Sequence, residues 1–111
     1  MGKKKYVEYE LLRPFIVRVK KRFAPVKVIL FGSRARGVMH QHSDYDILVV
    51  SPKFKRIEFS ERCALLYSMK RDIRVPMDII CLTPEEYDER SRRPTIFREI
   101  AREGKDITAL A

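Results

Sequence analysis

Apolar residues recur along the N-terminal part of the chain at the spacing of one buried helix face. The steps are three and four residues long, and the positions are Leu12, Phe15, Val19 and Phe23. Pro14 interrupts this pattern, because a proline inside a helix removes a hydrogen bond and clashes with the preceding turn. Residues 3–23 are therefore expected to be helical, with the regular helix beginning near residues 11–13. A helix that starts earlier and kinks at Pro14 is the alternative.

Three short apolar runs predict β-strands. They are residues 26–31, 44–50 and 77–82. The dipeptide Ala24-Pro25 ends the first helix before the first strand, and Pro76 introduces the third. A turn at residues 51–53 follows the second strand.

Helical patterns fill the spaces after the second and third strands. A helix over about residues 58–71 is predicted to bury one side, formed by Phe59, Cys63, Leu66 and Met69. Thr83 is the predicted N-cap of the next helix, with Pro84 at its first position and Glu86 completing a capping box. Residues 91–94 interrupt that helix.

The last predicted helix covers about residues 94–103. It buries either Ile96 or Phe97 together with Ile100, and Gly104 ends it. The resulting order of elements predicts an α/β (α+β) fold, in which a small sheet of three or more strands is flanked by helices. We expect residues 1–111 to form a single domain without internal repeats.

Composition narrows the class of protein. A chain with 45% hydrophobic and 35% charged residues is typical of a globular protein. No apolar run approaches the roughly 20 residues of a membrane span, and no secretory signal is recognisable, so a cytoplasmic location is expected. Cys63 and Cys81 lie outside any metal-binding motif and are predicted to be reduced packing residues.

A formal net charge of +9 favours a polyanionic partner, which could be nucleic acid, a nucleoside triphosphate or an acidic protein. Solvated helix faces account for most of this charge in our interpretation. A dedicated nucleic-acid surface is therefore open but not favoured.

The turn after the first strand has the composition of a phosphate-binding turn. Gly32 lets the backbone approach a phosphate closely, and Ser33 adds a hydroxyl donor. Arg34 and Arg36 could neutralise part of a triphosphate, and Gly37 frees the exit from the turn. Taken alone, a Gly-Ser pair is more often an ordinary strand-to-helix turn.

Three carboxylates change that interpretation. Asp44 and Asp46 alternate at the start of the second strand and so lie on one face, about 7 Å apart. Asp78 interrupts the apolar third strand, and it converges on the same face if the two strands are neighbours. Three such carboxylates could hold two metal ions about 4 Å apart. Magnesium is the expected metal because it prefers carboxylate and phosphate oxygens.

The loop before the second strand carries weaker candidates. His40 and His42 are conceivable ligands, but a solvated loop is the simpler interpretation. Ser43 could bind a phosphate or simply shape the turn into the strand. Tyr45 alternates away from the carboxylates and is predicted to pack in the core.

Together these residues resemble the GSxxxG…SDxD…D pattern of the minimal nucleotidyltransferase family, within the DNA polymerase beta-like nucleotidyltransferase superfamily. The matching positions are Gly32-Ser33, Gly37, Ser43-Asp44-Tyr45-Asp46 and Asp78. The resemblance implies a mixed sheet flanked by helices, and transfer of AMP from ATP with two magnesium ions. It also implies that Asp44 and Asp46 bridge both metals, that Asp78 completes the catalytic metal site, and that Gly32 and Ser33 hold the β- and γ-phosphates.

Many members of that family are antitoxins of HEPN-domain ribonuclease toxins, and some adenylylate a tyrosine of the toxin. The resemblance therefore implies a HEPN toxin as partner and acceptor. A non-catalytic nucleotide- or RNA-binding protein of the same fold is the alternative. A third hypothesis keeps the chemistry but makes an RNA end or a small molecule the acceptor.

Overall fold

The structure, a computed structural model, describes residues 10–35 and 44–111. At its centre is a four-stranded sheet in the order β3-β2-β1-β4. The strands are β1 (Lys27–Phe31), β2 (Tyr45–Val50), β3 (Met77–Leu82) and β4 (Lys105–Asp106). Strand β1 runs antiparallel to β2 and β4, whereas β2 and β3 are parallel. The prediction of a small mixed sheet flanked by helices is confirmed.

The described part of the chain contains five α-helices. They are α1 (Arg13–Phe23), α2 (Gly32–Ala35), α3 (Phe59–Met69), α4 (Pro84–Ser91) and α5 (Ile96–Glu103). Short 3-10 helices cover Pro52–Arg56, where only a turn was predicted, and Thr108–Leu110. None of the described helices has the length and apolar character needed to cross a membrane.

Helix α1 begins at Arg13, within the predicted range of residues 11–13, whereas the prediction of helix at residues 3–9 lies outside the described part of the chain. Pro14 is in its first turn, where the missing N–H has no intrahelical partner to lose. The predicted face, formed by Leu12, Phe15, Val19 and Phe23, is buried. It packs in the larger part of the core, which lies on one side of the sheet.

The other side of the sheet is covered by α4 and α5. Ile29, Leu48 and Leu82 from three strands meet Ile100 there. Of the two alternatives for α5, Phe97 packs against this cluster, whereas Ile96 is 55% exposed. Side chains two residues apart on a strand share a face, so this side also includes Asp46.

The predicted buried face of α3 is wrong at one position. Phe59 is 44% exposed, and Arg62 is buried in its place, next to buried Leu66. Arg62 can be buried because its guanidinium donates to the Ile57 carbonyl (2.8 Å) and to Glu86 Oε1 (2.7 Å). A charged residue thus occupies a core position that a hydrophobic pattern cannot identify.

Glu86 connects this arginine to the start of α4. The predicted capping box is present: Thr83 Oγ1 accepts from the Glu86 N–H, and Glu86 Oε1 accepts from the Thr83 N–H. Burial opposes ionisation of Glu86, but the hydrogen bonds from Thr83 and Arg62 outweigh it, and the pKa of Glu86 is lowered. One carboxylate therefore caps a helix and neutralises a buried cation.

Strand β4 was not predicted, since it has only two residues and no apolar alternation. Gly104 makes it possible, because a Cβ there would lie 2.5 Å from the Ile100 carbonyl oxygen and 2.7 Å from Ile29 Cγ2. The chain can therefore turn from α5 directly onto the edge of β1.

Cys63 and Cys81 are free thiols, as expected. Burial and, to a smaller extent, the neighbouring Cys63 thiol raise the pKa of Cys81 to about 12. A thiol with so high a pKa is a poor nucleophile at neutral pH.

The Arg62–Glu86 pair gives a first prediction. Glu86→Ala should lower the free energy of unfolding by about 3 kcal/mol, because it removes a helix cap and leaves a buried guanidinium unpaired. Chemical denaturation measures this change. Glu89→Ala is the matched control, since it removes an exposed pair with Arg93 and should cost less than about 1 kcal/mol. Equal effects of the two substitutions would contradict the role assigned to Glu86.

Candidate active site

The register of two parallel strands brings two of the three predicted carboxylates together. Asp46 of β2 and Asp78 of β3 are direct partners in the ladder. Neighbouring strands lie about 4.8 Å apart, and partners in a parallel pair point to the same face. Asp78 was expected to reach the face of Asp46 only if its strand lies beside the second strand. Strands β2 and β3 are indeed neighbours.

Asp44 lies one residue before the first residue of β2 and is exposed. It is two residues from Asp46, so the alternation of an extended chain places it toward the same side. All three carboxylates therefore belong to the end of the sheet at which β2 and β3 begin and β1 ends.

Gly32 brings the backbone of the turn against Asp46. Phe31, the last residue of β1, is the ladder partner of Asp46. Gly32 follows with a φ of 76°, and a Cβ at this residue would lie 2.2 Å from Asp46 Oδ2. Both the backbone conformation and the contact require glycine. The backbone at Gly32 therefore lies against Asp46, and its predicted approach to a phosphate stays a prediction.

The carboxylates create a site of concentrated negative charge. Burial raises the pKa of Asp46, and the charges of Asp78 and then Asp44 raise it further. The three carboxylates therefore repel one another, and a bound cation would relieve that repulsion.

The donor chemistry of this site fits magnesium. Carboxylate oxygens are the hard ligands that this ion prefers. Among the described residues, however, no three Asp, Glu, His or Cys side chains already form a group that could hold a metal ion. Asp44 and Asp78 are exposed, whereas Asp46 is partly buried. Asp46 is therefore the fixed member of the set.

Ser33 and Arg34 lie in the short helix α2, which continues directly from Gly32. The helix-like turn predicted after the first strand is therefore present. The guanidinium of Arg34 stacks over the ring of Tyr45, 4.3 Å from its centroid, and its Nη1 lies 3.4 Å from the Tyr45 hydroxyl. Tyr45 is 3% exposed, as its predicted packing role requires. It also holds Arg34 by this stacking, a role that strand alternation does not reveal.

A hollow lies beside Gly32, between the end of β1 and helix α5. Its walls include Phe31 and Ala35 on one side and Glu99, Ile100 and Glu103 on the other. The two glutamates would repel a triphosphate, so the Arg34 side of the site is the better place for phosphates. Sequence reasoning missed Glu99 and Glu103 as neighbours of this site. The three- and four-residue spacing within α5 predicts a buried face, but it does not show which strand that face covers.

Some predicted residues fall outside the described part of the chain. They are Arg36, Gly37, His40, His42 and Ser43. The roles predicted for them therefore remain predictions.

Comparison with known proteins places this geometry in a family. The model of the nucleotidyltransferase domain matches residues 12–107. A solved structure of a protein from Sulfolobus solfataricus, assigned as a nucleotidyltransferase, is 32% identical, with a TM-score of 0.59 over 78% of this chain and 77% of that chain. A comparison with curated proteins gave no significant match.

A second solved structure is described as a toxin-antitoxin with AMP-PNP. It is 19% identical to this chain and superposes with a TM-score of 0.52, over 96% of this chain and 72% of that chain. At this identity the match shows a shared fold. The family model, in contrast, covers almost all of the described residues and includes Gly32, Asp46 and Asp78. The chain therefore belongs to the nucleotidyltransferase domain family.

Proposed function

We propose that this protein transfers AMP from ATP to a tyrosine of a HEPN-domain toxin, with two magnesium ions, and so acts as an antitoxin. The observation that carries the catalytic part is the direct pairing of Asp46 with Asp78, with Gly32 packed against Asp46. Two carboxylates held side by side repel each other, and a cation in the working site would relieve that cost. Membership of the nucleotidyltransferase family supplies the reaction type.

In this proposal Asp44 and Asp46 hold both metal ions, and Asp78 holds the one on the acceptor side. When bound, magnesium would neutralise the carboxylates and the triphosphate and lower the pKa of the acceptor hydroxyl. Gly32 and Ser33 bind the β- and γ-phosphates through the backbone and the hydroxyl. Arg34, held by Tyr45, adds positive charge beside them, and Arg36 and Ser43 are further candidates for phosphate contact.

The reaction exchanges one phosphorus–oxygen bond for another. The acceptor oxygen attacks the α-phosphorus, and the bond from that phosphorus to the bridging oxygen of the β-phosphate breaks. Pyrophosphate leaves with the electron pair, and the tyrosine hydroxyl loses its proton. Asp78 is the proposed proton acceptor, since it is exposed near the start of β3, where an acceptor could reach it.

Two findings support the choice of nucleotide and partner. The toxin-antitoxin neighbour with AMP-PNP shares the fold, and the sequence pattern resembles that of antitoxins which use ATP. The hollow beside Gly32 carries Glu99 and Glu103, which disfavour a polyanionic acceptor on that side. A protein acceptor that approaches the carboxylates from this side fits the arrangement.

A non-catalytic nucleotide-binding protein is the second candidate. The observation in its favour is the exposure of Asp44 and Asp78, which leaves Asp46 as the one partly buried carboxylate of the three. A protein of this kind would bind ATP through the Gly32 turn but would not transfer AMP.

The transfer reaction gives the second prediction. Purified protein with magnesium and α-labelled ATP should label the cognate toxin, and Asp46→Asn or Asp78→Asn should lower the rate at least about 100-fold, because each removes a metal ligand. The rate of label incorporation is the measurement. Asp88→Asn is the matched control, since Asp88 is on α4 and pairs with Arg92.

Labelling that survives both active-site substitutions would contradict the assignment of these residues. ATP binding by the wild-type protein without any transfer would favour the non-catalytic alternative. Transfer to RNA or a small molecule, but not to the toxin, would keep the chemistry and overturn the acceptor.

Repulsion between the carboxylates gives the third prediction, which does not depend on activity. The pKa of Asp46 is raised above its ordinary value of 3.8 in the folded protein. Over the pH range between the unfolded and folded pKa values, the folded protein therefore keeps the Asp46 proton, whereas the unfolded chain has lost it. Stability should therefore fall as the pH rises through that range. In EDTA at pH 7, Asp46→Asn should raise Tm by about 3 °C relative to the wild type, because it removes one charge.

Magnesium should stabilise the wild type and have little effect on Asp46→Asn, since binding to the folded state alone raises Tm. Thermal denaturation with EDTA or magnesium, between about pH 4 and pH 7, tests both statements. A wild-type protein whose Tm is the same with magnesium and with EDTA would contradict a metal site at Asp46.

Gly32 gives the fourth prediction. Gly32→Ala should weaken ATP binding at least about tenfold and destabilise the fold by about 1–2 kcal/mol, because the methyl group displaces Asp46 and the φ of 76° strains alanine. Calorimetric titration with ATP and magnesium measures the first effect, and denaturation measures the second. ATP binding unchanged in a folded Gly32→Ala protein would overturn the role of this turn.

A further inference from the structure

Basic residues concentrate at the end of the sheet opposite to the carboxylates. Residues 20–27 and 50–57 contain seven Lys and Arg and no Asp or Glu. Six of these seven side chains are exposed, and we call them the basic end: Lys21, Arg22, Lys27, Lys53, Lys55 and Arg56. Within the described part of the chain, none of the six forms an ion pair.

Specific contacts hold the segments of the basic end together. Lys27, which begins β1, is the ladder partner of Val50, which ends β2. Ser51 then donates from Oγ to the Phe23 carbonyl at 2.7 Å, which ties the end of α1 to the following 3-10 helix. The rings of Phe23 and Phe54 pack beneath, with centroids 4.8 Å apart. The charges are therefore fixed on a well-packed base and are not on a loose tail.

An apolar groove adjoins these charges. Its lining comes from the same segments and from the start of α4, and it includes Pro25, Val26, Pro52, Pro84 and Tyr87. In the sequence, Glu58 directly follows residues 50–57, and Glu85 directly follows Pro84. The carboxylate of Glu58 already accepts from the Ser60 N–H as the cap of α3. The surface thus combines lysines and arginines that form no ion pair within the described residues with an apolar groove that contains one aromatic side chain, Tyr87.

We propose that the basic end binds a single-stranded nucleic acid. Lysine and arginine from separate segments can follow a phosphate backbone, and a groove with an aromatic side chain can receive an unstacked base. Four of the six residues are lysines, which are depleted at protein–protein interfaces. This composition favours a phosphate backbone over an acidic protein as the occupant.

The surface is separate from the proposed transfer site. Asp46 and Val50 are four residues apart on β2, which corresponds to about 13 Å along the strand. Nucleic-acid binding at the basic end therefore leaves the Gly32 turn and the carboxylates uncovered. The inference does not depend on the proposed transfer of AMP.

Binding to labelled oligouridylate of about 20 nucleotides, followed by anisotropy, tests this surface. Between about 50 and 200 mM salt, the wild-type affinity should fall with a log–log slope of about −4 if all six side chains contact phosphate. The double variant Arg22→Gln/Arg56→Gln should bind at least about tenfold more weakly, and its slope should be shallower by about 1.4.

Arg92→Gln/Arg93→Gln is the matched control. It lowers the net charge by the same amount, but its arginines form ion pairs on α4 with Asp88 and Glu89. This variant should keep the wild-type slope and an affinity within about threefold of the wild type. Equal losses in the two double variants would overturn a localised surface, as would the absence of binding at low salt.

Two further arms identify the ligand chemistry. Tyr87→Leu keeps most of the packing of Tyr87 but removes its ring, and it should weaken binding about fivefold or more without changing the salt slope. No loss in this variant would overturn the base-binding groove. Oligodeoxyuridylate that binds as well as the RNA indicates contacts with phosphate and base but not with the 2′-hydroxyl, and weaker binding of the DNA indicates a contact with the 2′-hydroxyl. Competition by polyglutamate as effective as that by RNA would overturn the nucleic acid in favour of an acidic protein.

Discussion

The structure of the candidate site depends on the repulsion between two carboxylates that the sheet holds side by side. Parallel pairing of β2 and β3 makes Asp46 and Asp78 ladder partners, and hydrogen bonds along both strands prevent the backbones from separating there. Burial and the neighbouring charges make ionisation of Asp46 unfavourable. A fold that retains such a pair has kept a source of instability at the position where function would use it.

The direction of the strands explains why the turn and the carboxylates meet. Because β1 is antiparallel to β2, the end of β1 and the start of β2 lie at the same edge of the sheet. Gly32 follows the end of β1 directly, and the parallel strand β3 begins at the same edge. Topology therefore assembles the site from three segments that are far apart in sequence, and glycine allows the backbone to contact Asp46.

Much of this arrangement was predictable from the sequence. The helical spacing predicted α1, short apolar runs predicted three strands, and the capping signal at Thr83 and Glu86 identified the start of α4. The polar residues inside apolar strands singled out Asp46 and Asp78. These signals are local, and each depends on only a few neighbouring residues.

What escaped prediction depends on contacts between distant segments. Arg62 is buried because Glu86, on another helix, pairs with it. Strand β4 is too short for a periodic pattern and exists because Gly104 allows the chain to approach β1. The stacking of Arg34 on Tyr45 and the hollow against α5 likewise require a known topology.

The clustering of charge is the last consequence of that topology. The net charge of +9 gives no indication that carboxylates gather at one end of β2 and unpaired lysines and arginines at the other. The Debye length at physiological ionic strength is about 8 Å, shorter than the distance of about 13 Å along β2 between the two ends. Each end therefore acts largely through its own local charge. A positively charged protein can thus present a negatively charged site to metal ions and, at the opposite end, a basic surface to a polyanion.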